Sequence, residues 1–249
     1  MFFGLLGCST HTTNPKPEQA LFQVSTIDAL MQGVYDGNES LSKLAAKGNL
    51  GIGTFNALDG EMILDDGVVY QVKPDGKVYQ PSGETKTPFA EVVRFEPEDS
   101  IQVHDLDFPR LKHLVDSLMG SPNYFYAIRL DGQFDSVHTR SVPAQQRPYK
   151  KLVEVSKEQA EFNLQKTNGD LIGFYCPAFT KGINVPGYHV HFLSNDKSAG
   201  GHVLGFQLKS GMLKLDRITK FEMLLPESDG FQKGEFKTDR SKELEKVEG

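Results

Sequence analysis

Residues 51–80 read GIGTFNALDGEMILDDGVVYQVKPDGKVYQ, and this stretch decides the fold class. It holds three Asp-Gly pairs, at 59–60, 66–67 and 75–76, between short segments rich in apolar and aromatic residues. Asp-Gly at such a place favours a tight hairpin turn, because both residues tolerate positive φ angles. The stretch therefore predicts a β-meander with strands at 51–55, 61–64, 68–73 and 77–80.

Helical patterns lie on both sides of this meander. Before it, a cap at Ser25 or Thr26 and apolar residues at helical spacing predict a helix over 27–34, and a second short helix is predicted over 41–47. After it, residues 89–95 predict a strand. Asp107 then caps a predicted helix over 108–119, with Pro109 in its first turn.

The second half of the chain is mainly strand-like. Asp131-Gly132 predicts a hairpin between strands at 124–130 and 133–142, and a short helix is predicted over 155–162. Further strands are predicted at 171–175, 188–193, 201–209 and 212–216. The pattern predicts an α+β fold over residues 21–249, with two β-sheet-based subdomains of mostly antiparallel or mixed strands, a few helices and a divide near 120–165.

Composition excludes several classes of protein. The chain has 249 residues, 38% of them hydrophobic, which is enough to bury a large core without disulfides. Its 27 basic and 33 acidic residues give a net charge of −6. This balance argues against a nucleic-acid partner and a polybasic membrane surface. No apolar run approaches the length of a transmembrane helix.

The N-terminus carries a pattern of its own. Leu5-Leu6-Gly7-Cys8 resembles the end of a bacterial lipoprotein signal, and the polar residues behind it resemble a tether, so residues 1–20 are predicted to be a disordered leader. We expect a lipid anchor at Cys8 and a place in the cell envelope, either periplasmic or extracellular. The match lacks a basic region and a long apolar stretch. The alternatives are a cytoplasmic protein with an accidental match, and a sequence that lacks upstream residues.

Cys176 has quite different sequence neighbours from those of Cys8. It follows the apolar run 171–175, so it is predicted to be a small buried hydrophobic residue that forms no disulfide with Cys8.

A cluster of histidines points to a metal. The segment 188–193 reads YHVHFL, and His202 follows after a loop. Alternate residues of a strand share a face, so His189 and His191 project together. A returning strand would place His202 on that face as well. Three converging imidazoles can bind Zn²⁺ and leave positions open for water or substrate.

The alternative is that these histidines are structural, as a lone His-x-His pair usually is. Three buried neutral imidazoles are unfavourable unless each finds a partner, however, and one cation satisfies all three. Other residues are weak candidates by themselves. Glu61 after its turn, Arg140 on a strand and Glu248 near the C-terminus would ordinarily be solvated, and no serine or zinc-protease motif occurs.

Three motifs together resemble the bacterial α-acetolactate decarboxylase family. They are GIGTFNALDGE at 51–61, PAQQRPY at 143–149, and GYHVHFLSND at 187–196 followed by GGHV at 200–203. The similarity runs from about Phe22 to Glu248. It implies two sheet-based subdomains with zinc between them, and a homodimer.

The resemblance also assigns the site residues. It implies that Zn²⁺ is held by His189, His191 and His202. Four further residues fall on active-site positions of the family: Glu61, Arg140, Thr54 and, from the C-terminal tail, Glu248.

The implied reaction is the decarboxylation of (S)-2-acetolactate to (R)-acetoin through a metal-stabilised enediolate. Arg140 would hold the substrate carboxylate in a forked contact. One of Glu61 and Glu248 would accept the hydroxyl proton and one would deliver a proton to carbon, and the sequence does not divide these roles. The rival functions are a non-catalytic metal- or ligand-binding envelope protein and a zinc hydrolase.

Overall fold

The computed structural model of the chain describes residues 19–97 and 100–248. Cys8 and the predicted lipid anchor lie outside the described residues. Of the predicted leader, Ala20 is already the first residue of a strand. Within the described ranges, no helix has both the length and the apolar character needed to cross a bilayer.

Fourteen strands are found in the part of the chain that the structure describes. In chain order they are β1 (Ala20–Val24), β2 (Glu39–Ser40), β3 (Leu50–Thr54), β4 (Glu61–Asp65), β5 (Val68–Val72), β6 (Val78–Tyr79), β7 (Lys86–Thr87), β8 (Ala90–Val93), β9 (Ser100–Asp107), β10 (Phe125–Ser141), β11 (Ala160–Cys176), β12 (Gly187–Ser194), β13 (Gly200–Ile218) and β14 (Lys220–Leu224). The α-helices are fewer: α1 (Ile27–Met31), α2 (Leu41–Lys47), α3 (Phe108–Leu118), α4 (Leu152–Val155), α5 (Asp229–Gln232) and α6 (Ser241–Glu248). The predicted fold of mixed sheets with few helices is confirmed.

The strands form two large sheets. A seven-stranded sheet has the order β14-β1-β8-β3-β4-β5-β6, and a five-stranded sheet has the order β10-β11-β12-β13-β9. In the second sheet β10 also pairs with β13, so β10, β11, β12 and β13 form a closed ring of paired strands. The pairing of β1 with β14 is parallel, and the other large-sheet pairings are antiparallel.

The two sheets share one hydrophobic core. Side chains of the first sheet such as Leu50 and Ile52 pack in the same buried cluster as Ile172 and Phe174 of the second. The chain passes from the first sheet to the second between β8 and β9 and returns between β13 and β14, whereas the sequence placed a divide near 120–165. Residues from opposite sheets are therefore brought face to face across this core.

The three turns of the predicted meander are confirmed. Gly60, Gly67 and Gly76 have φ angles of 86°, 83° and 78°, which glycine adopts without strain. Each follows an aspartate and connects two antiparallel strands of the first sheet.

The hairpin predicted at Asp131-Gly132 is wrong, because β10 runs straight through it. Gly132 instead faces Gly211 of β13, and a Cβ at Gly132 would lie 2.8 Å from the Ser210 carbonyl oxygen. The glycines allow two backbones to approach, so they do not turn the chain. For the same reason 201–209 and 212–216 are parts of the single strand β13.

Other elements differ from the sequence prediction. The helix predicted over 155–162 is α4 followed by a 3₁₀ turn at Ser156–Glu158, after which β11 begins. The first helix ends at Met31, before Gly33 at φ 85°. Strands β1, β9 and β14 were not predicted. The polar tail after Glu227 forms α5 and α6.

Candidate metal centre

The histidine hairpin forms as its sequence predicts. His191 of β12 and His202 of β13 are cross-strand neighbours, and His189 lies two residues along on the face of His191. The turn between the strands is closed by the Ser194 amide, which donates to the Ala199 carbonyl oxygen at 2.9 Å. The exposed fractions of the three histidines are 8%, 1% and 2% in chain order. One ring nitrogen from each lies within 4.8 Å of the others, so the predicted convergence is confirmed.

Hydrogen bonds show which nitrogens face the shared space. His191 donates Nδ1–H to the Met62 carbonyl oxygen at 2.9 Å, and its Nε2 is buried with no hydrogen-bond partner among the described residues. The Nε2 atoms of His189 and His202 lie 3.7 Å and 3.9 Å from the same carboxylate oxygen of Glu248. His202 Nε2 also donates to the Glu248 backbone carbonyl oxygen at 3.5 Å. Three Nε2 atoms therefore face one space, and imidazole nitrogen is a common ligand of divalent cations.

The three imidazoles are held neutral, mainly by their burial. Loss of solvation lowers the pKa of His189 to about 3 and holds those of His191 and His202 well below the ordinary value, and the nearby Arg140 cation adds to this. Neutral imidazole is the form that ligates metals.

Glu61 reaches the cluster from the opposite sheet. It is the first residue of β4, and its Oε2 lies 3.8 Å from His191 Nε2. Thr54, its cross-strand neighbour, donates its hydroxyl to the Gly60 carbonyl oxygen at 2.7 Å and so fixes the turn before Glu61. Burial, with a smaller contribution from Glu248, raises the pKa of Glu61 to about 7, although Arg140 and the Val142 amide oppose the rise.

Glu248 arrives on the last helix. Leu244 and Val247 of α6 are buried in a cluster with α1 and α4, and this packing places Glu248 beside His189 and His202. Its Oε2 is buried without a hydrogen-bond partner in the described part of the chain, and burial raises its pKa. A residue that would ordinarily be frayed thus lies in the site.

Arg140 lies in the same row of the sheet as two of the histidines. It is the cross-strand neighbour of His202, which is in turn the neighbour of His191. The guanidinium is buried and donates through Nη1 to Gln159 Oε1 at 3.3 Å. Its Nε has no hydrogen-bond partner within residues 19–97 and 100–248. Unused donors of a buried cation favour an anionic ligand.

A small cavity of about 40 Å³ joins these groups. All seven predicted site residues line it: Thr54, Glu61, Arg140, His189, His191, His202 and Glu248. A larger cavity of about 810 Å³ lies along α6 and the segment 178–188, and Glu248 lines both. Glu248 therefore lies between the small cavity and the larger one.

One buried residue of the site was missed. Glu91 of β8 is fully buried, and its Oε1 lies 3.8 Å from His189 Nδ1. Burial raises its pKa to about 8. The sequence does carry one signal, because Glu91 is the single charged residue in the otherwise apolar run from Phe89 to Val93. A strand with one solvated face would instead alternate polar and apolar residues.

The residues present fit a divalent metal. Three neutral imidazoles can supply three ligands and leave further positions open, and buried carboxylates and an arginine surround them. Imidazole suits several transition metals, so the donor set selects a class of ion and not one element.

Comparisons with known proteins identify the family of the chain. A family model described as alpha-acetolactate decarboxylase matches residues 21–238, which ends before Glu248. The alpha-acetolactate decarboxylase of Methanosarcina mazei is 44% identical over 229 residues, which are 92% of this chain and 80% of the relative. That of Klebsiella aerogenes is 39% identical, over 86% of this chain and 83% of the relative.

A solved structure extends the likeness to the fold. The crystal structure of alpha-acetolactate decarboxylase from Bacillus subtilis strain 168 superposes with a TM-score of 0.90 at 35% identity, over 92% of this chain and 99% of that one. The chain therefore belongs to the alpha-acetolactate decarboxylase family of carboxy-lyases.

Proposed function

We propose that the chain converts (S)-2-acetolactate to (R)-acetoin and carbon dioxide with Zn²⁺ held by His189, His191 and His202. The observation that carries the proposal is the convergence of three buried imidazoles, one of which has a free Nε2 facing the shared space. When bound there, Zn²⁺ would act as a Lewis acid toward the hydroxyl and ketone oxygens of the substrate.

Arg140 is the proposed carboxylate-binding residue. Its buried Nε–H has no partner among the described residues, and its Nη1 is held by Gln159 Oε1. A forked contact would orient the carboxylate before the carbon–carbon bond breaks. The bonding electrons then stay with the hydroxyl-bearing carbon and its neighbouring ketone while carbon dioxide leaves.

Glu61 and Glu248 are the proposed proton carriers. Glu61 approaches His191, whereas Glu248 approaches His189 and His202, so the carboxylates enter the shared space beside different ligands. One would accept the hydroxyl proton, and the other would deliver a proton to one side of the carbon. Delivery from a fixed side would set the chirality of acetoin. Burial raises the pKa of both carboxyls, and the value of about 7 for Glu61 suits proton transfer near neutral pH.

Assembly and compartment rest on the family resemblance and the leader sequence. The resemblance supports a homodimer, and Leu5-Leu6-Gly7-Cys8 supports a lipid anchor in the cell envelope. Mass spectrometry of the N-terminus of protein from its native cell tests the anchor, and sedimentation tests the dimer.

One experiment separates the proposed function from its rivals. The purified chain is stripped with a chelator, reloaded with zinc and given acetolactate, and acetoin is measured by colour and by chiral chromatography. We expect (R)-acetoin only after reloading. Full turnover by the stripped protein would contradict zinc dependence. Tight zinc binding without acetoin would favour a binding protein, or a zinc hydrolase if esters were cleaved.

A further inference from the structure

Glu91 lies next to His189 but does not line the small cavity. It belongs to β8 of the seven-stranded sheet, where Gln23 and Ile52 are its cross-strand neighbours. Its side chain is fully buried and crosses to the five-stranded sheet that carries His189. A carboxylate at this depth requires partners for both oxygens.

One oxygen of Glu91 is firmly held. Its Oε2 accepts from Asn184 Nδ2 at 2.7 Å, with the Cys176 Sγ 3.8 Å away. Asn184 is fixed in turn, since the same Nδ2 donates to Gln23 Oε1 at 2.7 Å and its Oδ1 accepts from the Val185 amide at 2.6 Å. The carboxylate therefore has one preferred orientation.

The other oxygen faces an equally unpaired atom. Among the described residues, neither Glu91 Oε1 nor His189 Nδ1 has a hydrogen-bond partner, and both are buried. They lie 3.8 Å apart. The corresponding nitrogen of His191 already has its acceptor, the Met62 carbonyl oxygen.

We propose that Glu91 is a positioning residue of the metal centre, whose Oε1 accepts Nδ1–H of His189 and so presents the Nε2 lone pair to the cation. The inference rests on the metal site of the proposed function. Ligating histidines almost always donate their second ring N–H in this way, and the acceptor fixes both tautomer and ring orientation. The two atoms lie 3.8 Å apart and need to approach by about 1 Å to form this hydrogen bond.

The test is zinc affinity, measured by competition with a chromophoric chelator at fixed pH. In Glu91→Gln, Asn184 Nδ2 holds the amide oxygen in the place of Oε2, so the amide NH₂ faces His189 Nδ1. This favours the tautomer with the proton on Nε2, the metal-facing nitrogen. We expect a loss of about 10-fold to 100-fold in zinc affinity, the usual effect of losing such an acceptor.

A second variant separates orientation from packing. In Glu91→Gln combined with Asn184→Ala, the amide is free to rotate and present its oxygen to Nδ1–H. The double variant should recover part of the lost zinc affinity, although it has lost more hydrogen bonds. Asp216→Asn is the matched control, because this buried carboxylate accepts the Glu96 amide and lies outside the histidine cluster. It should keep wild-type affinity within about twofold.

Each outcome decides the matter. Wild-type affinity in Glu91→Gln would overturn the inference, and so would a double variant that binds zinc more weakly than the single one. If the wild-type chain bound no zinc, the proposed function would fail first and the inference with it. Thermal melting of the metal-free variants checks that each is folded.

Discussion

Replacing Glu61 by glutamine should change how the stability of the metal-free protein depends on pH. The Glu61 carboxyl is buried between the sheets and is charged only at a free-energy cost. Glutamine has nearly the same shape, accepts the Val142 amide through its oxygen and never ionises. The difference between wild type and Glu61→Gln therefore isolates the ionisation of this one group.

The magnitude follows from the pKa of Glu61, which burial raises from 4.5 to about 7. The native state keeps its proton over this interval while the unfolded chain releases it. Stability from this group is thus fully present below pH 4.5 and is lost as the pH rises through 7. At about 1.4 kcal/mol per pH unit, the loss amounts to about 3 kcal/mol.

The assay is urea denaturation of chelator-treated protein from pH 4 to pH 8, followed by circular dichroism. The metal-site histidines shift stability in the opposite direction, because their lowered pKa values make the native state bind fewer protons than the unfolded state below pH 6.5. Both proteins share that contribution, so it cancels in the difference. Glu61→Gln should gain about 3 kcal/mol relative to wild type across the range.

The control is Glu84→Gln, which changes an exposed glutamate and should follow the wild type at every pH. A constant difference between Glu61→Gln and wild type from pH 4 to pH 8 would refute the reasoning. It would mean that the Glu61 carboxyl loses its proton at the same pH in the folded and the unfolded protein.

Three further substitutions probe the remaining site residues. Arg140→Lys keeps the positive charge but loses the two parallel N–H donors of the guanidinium, so KM for acetolactate should rise about tenfold or more with zinc content unchanged. Unaltered steady-state kinetics would exclude Arg140 as the residue that binds the substrate carboxylate. Glu248→Gln should lower kcat by at least about 100-fold while the fold persists, and normal turnover would make the C-terminal residue a passive end. Thr54→Val should cost about 1 kcal/mol in urea denaturation because the Gly60 carbonyl loses its donor, and wild-type stability would contradict that contact.

Features set by local chemistry were predictable from the sequence. The turns at Gly60, Gly67 and Gly76 follow from the φ freedom of glycine. Helix α2 agrees with its prediction residue for residue, and Asp107 caps α3 by accepting the Arg110 amide at 2.8 Å. The histidine hairpin belongs to this group, since alternation along one strand and a short turn suffice to bring three rings together.

Features set by a neighbouring strand were not predictable. Gly132 and Gly211 follow residues that are common in turns, yet they lie opposite each other where β10 and β13 approach closely. No local rule distinguishes a glycine that turns the chain from one that makes room for another backbone. The same limit explains why two pairs of short predicted strands are the long strands β10 and β13.

The residues of the candidate site also fall into a group that local sequence predicts and a group that it does not. Its histidines are close in sequence, whereas Glu248 reaches them only because Leu244 and Val247 pack against α1 and α4. Without the family resemblance, the tail gave no reason to expect this. Glu91 was missed because its partner His189 belongs to the opposite sheet, and contacts between sheets are decided by tertiary packing.

If one cation on three imidazoles is required for the decarboxylation, His191→Ala should abolish the reaction. Zinc bound per chain and acetoin formed are measured side by side for wild type, His191→Ala and His138→Ala. The ring of His138 is partly exposed, pairs with Glu161 and does not line the small cavity. We expect one zinc ion per chain and full activity in wild type and His138→Ala, and loss of both in a folded His191→Ala. Undiminished acetoin formation by zinc-free His191→Ala would contradict it.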